Sequence, residues 1–160
     1  MSKRKIAVAG ATGNVGREIL NILDERKFPA DEIVPLASRN SVGKKVSYGD
    51  KELTVQCLED FDFTGTAIGL FSPGGSISAI HAPRAAAQGC VVIDNTSHFR
   101  MDENVPLVVP EVNPQDVKNR PRGIISNPNC TTLSMIVAMG ALHREYELKE
   151  LVVSSYQAAS

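Results

Sequence analysis

The sequence predicts an α/β fold built on a mostly parallel sheet, and three observations predict it. Short apolar runs alternate with stretches of helical periodicity along most of the chain, the pattern of parallel strands joined by crossover helices. The first run, KIAVA at 5–9, is nearly continuous in apolar character, as a strand covered on both faces must be. It feeds into Gly10-Ala11-Thr12-Gly13-Asn14-Val15-Gly16, a glycine-rich turn between a strand and a helix. Together these give a Rossmann-like, doubly wound sheet.

The elements follow in order. Val15, Ile19, Leu20, Ile22 and Leu23 recur at helical spacing until Phe28-Pro29 stops the pattern. A second strand is expected at 32–37 (EIVPLA), with Pro35 either weakening it or turning its donorless nitrogen away from the ladder. Residues 45–56 read as a small hairpin around Tyr48-Gly49-Asp50. TAIGLFS at 66–72 is a third parallel strand ending at Pro73-Gly74-Gly75, and a helix follows from about Ser76 to Gln88, with Pro83 as a kink or the start of a turn. CVVIDN at 90–95 is another strand, PLVVPEV at 106–112 an extended piece, and GIISN at 123–127 leads towards Cys130. The helix after it places Leu133, Ile136, Val137 and Ala141 on one face and runs to about His143. LKELVVSSYQAAS at 148–160 reads as a new strand without a successor, as expected of a fragment of something longer.

Composition narrows the function. A chain of 160 residues, 42% hydrophobic, can build one ordinary core. A net charge of −1 with interspersed signs offers no broad basic surface, which argues against nucleic acid as a partner. No apolar run approaches the ~20 residues of a membrane-spanning helix, and the N-terminus lacks a secretory cleavage pattern, so the expected address is the cytoplasm. Cys57, Cys90 and Cys130 are odd in number and widely spaced, which fits reduced thiols and neither a disulfide framework nor a metal site.

The glycines of the 10–16 turn allow a close backbone approach to a pyrophosphate, whose charge the following helix N-terminus favours. At the end of the second strand, Leu36-Ala37-Ser38-Arg39-Asn40 contains no acid for an unphosphorylated ribose. Ser38 and Arg39 are instead suited to a 2′-phosphate, so NADP is favoured over NAD; the alternative for Arg39 is a solvated surface charge. Further candidates lie at later strand ends: Ser72 and Gly74 beside the cofactor, and the Asp94–Arg100 segment, where Arg100 could hold a phosphate or carboxylate or make a surface salt bridge. His98 reads as a structural hydrogen-bonder. Cys130 lies at a helix start, where the dipole favours thiolate. A thiolate near a nicotinamide suits aldehyde chemistry through a thiohemiacetal and a thioester; the alternative is an inert buried thiol. Cys57 and Cys90 read as core residues.

The stretches GATGNVG, ASRNSVGK, FSPGGSIS, DNTSHFRMDENVPLVVPEVN, SNPNCTT and SSYQAAS occur in the order seen in aspartate-semialdehyde dehydrogenases of bacterial type, a family that this chain resembles over essentially its whole length. The resemblance implies NADPH-dependent reduction of L-aspartyl-4-phosphate to aspartate-4-semialdehyde, on the route to lysine, threonine and methionine. It implies Cys130 as the acyl-forming nucleophile with Asn129 beside it, Arg100 as phosphate binder, and Gln157 as substrate-positioning residue. Gly10, Thr12, Gly13, Asn14, Val15, Ser38, Arg39, Ser72, Gly74 and Asn95 match cofactor contacts. Pro73 and Thr96 depart from the small residue and the serine common in the family, without removing a charged or nucleophilic group.

Family members run to roughly twice this length. Their other half holds the histidine base, an arginine for the amino-acid carboxylate and most of the dimer interface; His81, His98 and His143 do not match that histidine's motif. The implied division is an NADP-binding domain at 1–129 and the start of an α+β catalytic domain at 130–160, in a homo-oligomeric enzyme. By itself such a chain is expected to bind cofactor and turn over little. Two rivals remain: an N-acetyl-γ-glutamyl-phosphate reductase-like enzyme, against which the FRM…PEVN and SNPNC stretches argue, and a non-catalytic NADP-binding module.

Overall fold

The computed structural model describes residues 4–156. Strands β1 (Lys5–Ala9) and β2 (Glu32–Ala37) are joined by helix α1 (Asn14–Glu25), and an antiparallel hairpin of β3 (Lys45–Tyr48) and β4 (Lys51–Thr54) precedes a two-residue strand, β5 (Gln56–Cys57). Helix α2 (Gly75–Ala87) joins β6 (Thr66–Phe71) to β7 (Val91–Asp94); β8 (Ile124–Ser126) and α3 (Cys130–Tyr146) follow. The main sheet has six strands in the order β5-β2-β1-β6-β7-β8, every pair parallel. Counted along the chain without the hairpin, that is the 3-2-1-4-5-6 order of dinucleotide-binding sheets, which reverses direction between the first and fourth strands.

Alternation along the strands fills both faces of this sheet. On one side Ala7, Phe71 and Val92 pack with Ala82 and Ala85 of α2 and with Phe63. On the other, Val8 packs with Leu20 and Leu23 of α1 and with Val46 of the hairpin. Burying Leu20 and Phe71 completely contributes about 1.5–3 kcal/mol each. Pro35 is accommodated by the ladder's alternation: the Leu36 carbonyl accepts from Gly10 N on the β1 side at 2.9 Å, so its neighbour's donorless nitrogen faces the edge, where β5 pairs only with Leu36 and Ala37. Arg84 ties α2 to the loop after β5, donating to the carbonyls of Leu58 and Phe61 at 2.7 Å each.

Several sequence expectations are corrected. The hairpin region ends in β5, an edge strand too short for periodicity to reveal, and Cys57 on that edge is half-exposed rather than core. Residues 106–112 contribute one bridge, Leu107 to Ser126, before turning. Pro83 lies inside α2, where the sequence reading put it. In α3, the face of Leu133, Ile136, Val137 and Ala141 is not buried. Residues 148–156 form no strand, since no described neighbour offers them a ladder; the rest of that stretch lies outside the described residues.

Candidate active-site cleft

The carboxyl ends of β1 and β6 meet where the strand order reverses. Gly10 leaves β1 at φ +85°, and a Cβ there would stand 2.5 Å from the Ser72 carbonyl oxygen, so β1 and β6 can end this close together only with glycine. Gly13 donates to the Gly10 carbonyl at 3.0 Å, closing the turn. Gly16, one helical turn further on, would place a Cβ 2.1 Å from the Gly10 oxygen, so α1 starts hard against the turn, and the unpaired N–H groups of a helix's first turn favour an anion.

In front of this turn is a cavity of about 240 Å³ lined by Gly10, Thr12, Gly13, Ser38, Glu59 and Ser72, among others. Five of the expected cofactor residues are therefore brought together. Val15 and Asn95 instead line a neighbouring apolar groove of about 400 Å³ with Asn127 and Ile93. Asn14 is exposed as the first residue of α1, and Gly74 caps α2. Arg39 is exposed at the rim, donating to Asp60 Oδ1 at 2.9 Å. Sequence reasoning missed Glu59: no acid follows β2, yet pairing of β5 with β2 carries one into the same cavity.

A second constellation forms at the ends of β7 and β8. The Asn95 N–H donates to Phe71 O and the Asn127 N–H to Asp94 O, at 2.8 Å each, which extends the sheet past its last named residues. Buried Asp94 accepts from Thr96 N and Oγ1, both at 2.9 Å, and folds the loop back. Arg100 thereby lies across both strand ends: Nε donates to Asn127 O at 2.9 Å and Nη2 to Asn95 O at 3.2 Å. The Asn127 amide donates to Asn95 Oδ1 at 2.6 Å. Asn127 was not singled out from the sequence, although its place in SNPNC, three residues before Cys130, is the signal that could have found it. His98 is exposed and meets Phe99 edge-on at 4.6 Å; its hydrogen bond to Thr96 is made by the backbone N–H.

Cys130 is the first residue of α3 and is exposed. Asn129 is the N-cap, its Oδ1 accepting from Thr131 N at 2.9 Å. The other thiols are held back: burial pushes Cys90 up to about 12, and the hydrogen bond from Cys57 Sγ to Glu59 at 2.8 Å raises Cys57 above the ordinary thiol value. At neutral pH, iodoacetamide is expected to alkylate Cys130 first and Cys90 last, read by peptide mass spectrometry; faster labelling of Cys57 would overturn that order. Gln157 lies outside the described residues.

A parallel sheet with this strand order, a glycine turn against its switch point and a cavity at that crossing define a dinucleotide-binding α/β domain. A family model described as semialdehyde dehydrogenase, NAD binding domain, matches residues 5–120, and the chain belongs to that family. It is 52% identical over 158 residues to aspartate-semialdehyde dehydrogenase of Aquifex aeolicus, covering 98% of this chain and 46% of the relative. Against the Bacillus subtilis enzyme of the same name, identity is 50% over 97% of this chain and 44% of the relative. The crystal structure of aspartate semialdehyde dehydrogenase II from Vibrio cholerae superposes with a TM-score of 0.86 at 50% identity, over 89% of this chain and 43% of that one. The chain spans about half the length of the curated relatives it matches.

Proposed function

We propose that the chain supplies the NADP cleft and the nucleophile of an aspartate-semialdehyde dehydrogenase, with residues 1–129 as the cofactor domain and 130–160 as the start of the catalytic domain. The observation that carries this reading is the glycine-lined cavity at the β1/β6 crossing, in a chain 52% identical to an enzyme of that name. The cradle fits a dinucleotide: a Cβ at Gly10 would meet the Ser72 carbonyl, so the turn lies close to the strand ends and its backbone is open to a pyrophosphate. Gly10, Thr12, Gly13 and Ser72 would hold that pyrophosphate and the adjoining ribose, and Ser38 and Arg39 the 2′-phosphate. NADPH, when bound, supplies the hydride that reduces the acyl group.

Cys130, as thiolate, adds to the carbonyl carbon of aspartyl-4-phosphate; the bond to the phosphate oxygen breaks, phosphate leaves with the electron pair, and a thioester remains on sulfur. Arg100, fixed by the Asn95 and Asn127 carbonyls, keeps its Nη1 edge for the departing phosphate. Asn129 holds the start of α3, and with it the sulfur, in register. Asn14 and Val15 continue the cofactor turn at the start of α1, Gly74 and Asn95 add further cofactor contacts, and Gln157 positions substrate. The reading includes action on small molecules, which the enzyme names of the relatives support, and extends to a cytoplasmic homo-oligomer as part of the same proposal. Among the described residues, no helix is long and apolar enough to cross a membrane.

Calorimetric titration tests the cofactor assignment. NADP is expected to bind more tightly than NAD; binding of neither would remove the reading.

A further inference from the structure

The rim of the dinucleotide cavity is built from two segments that are distant in sequence. Leu58 N donates to Ala37 O at 2.8 Å, so Ser38-Arg39 and Glu59-Asp60 leave β2 and β5 side by side. Glu59 lines the cavity with Ser38. Asp60 takes Nη2 of Arg39 in an exposed ion pair of 2.9 Å. The cluster has one arginine and two carboxylates, so the site that would receive a 2′-phosphate has an acid excess beside its only nearby guanidinium among these four residues. Both carboxyls lie below their usual range, first through the Cys57 thiol and then, for Asp60, through Arg39, so both are ionised at neutral pH.

We propose that Glu59 and Asp60 set cofactor selectivity at the adenosine ribose, holding the preference for NADP over NAD well below what Ser38 and Arg39 alone would give. This rests on the cofactor reading above. Two physical effects act together. Glu59 offers a carboxylate acceptor to an unphosphorylated ribose hydroxyl, the part an acid plays in NAD sites. Asp60 occupies a guanidinium edge that a phosphate would otherwise take, and both acids repel a phosphate dianion.

The test compares the unsubstituted chain with Glu59→Gln and Asp60→Asn by calorimetry, using NADP and NAD and, as fragments, 2′,5′-ADP and 5′-AMP. Both side chains are on exposed residues, so the variants retain the fold, checked by circular dichroism. Asp60→Asn is expected to tighten NADP and 2′,5′-ADP roughly twofold to fivefold, the scale of one exposed charge contact, and to leave NAD and 5′-AMP unchanged. Glu59→Gln is expected to tighten NADP by a similar factor and to weaken NAD. Both gains should shrink in high salt, which a packing effect would not do. Weaker NADP binding in Asp60→Asn would mean that the aspartate orients Arg39 for phosphate, and would overturn the proposal. Equal changes for NADP and NAD would also overturn it. If the unsubstituted chain binds NADP but the variants keep its ratio, the selectivity proposal alone fails; if it binds neither dinucleotide, the cofactor reading fails and takes this proposal with it.

Discussion

Gly16→Ala is expected to destabilise the chain by about 3 kcal/mol, lowering the Tm by roughly 6–12 °C for a domain of this size, and to reduce dinucleotide affinity at least tenfold. The added Cβ would stand 2.1 Å from the Gly10 carbonyl oxygen and 2.7 Å from Ala11 Cα. These neighbours are backbone atoms, so the clash can be relieved only by moving α1 away from the turn it abuts. Gly13→Ala separates packing from ligand approach. Gly13 has an ordinary φ of −78°, and its added Cβ would find only the Gly10 oxygen, at 3.4 Å. Thermal stability should therefore stay within about 1 kcal/mol, while the methyl group, on a residue that lines the cavity, blocks the pyrophosphate. Equal Tm losses in the two variants, or unchanged affinity in both, would contradict this assignment of the turn.

Cys130→Ser is expected to reduce phosphate-dependent NADPH formation from aspartate semialdehyde by at least ~10³-fold in any preparation that turns over, the scale on which loss of a nucleophile is felt. Serine is well tolerated at a helix start, and the thiol is exposed, so Tm and NADP affinity should be retained. The alcohol is a far weaker nucleophile than a thiolate at neutral pH. Retained activity would move the covalent step to another residue.

How much of this was legible in the sequence depended on the range of the interaction. β1, the glycine turn and α1 were readable because their signals are local: an apolar run, glycines at fixed offsets, and a helical repeat from Val15 onwards. Arg100 and Cys130 are legible as residues at strand and helix ends, but the hydrogen bonds of Asn127 with Arg100 and Asn95 join residues 27 and 32 positions apart and leave no periodic trace. Glu59 was hidden for the same reason. It enters the cavity only because two-residue β5 pairs with the end of β2, and so short a strand has no pattern to detect. The strand expected at 148–160 failed differently. Alternation of apolar residues specifies a strand only where a neighbouring ladder receives it, and residues 148–156 have none here.

The most direct test of the cleft is amide hydrogen exchange of the chain with and without saturating NADP. The expected result is slowed exchange at the 10–16 turn, at 38–39 and 59–60, and along 72–78, where the strand ends and helix N-termini converge at the β1/β6 crossing. Protection absent from the glycine turn, or confined to residues 103–121, none of which lines the cavity, would contradict it.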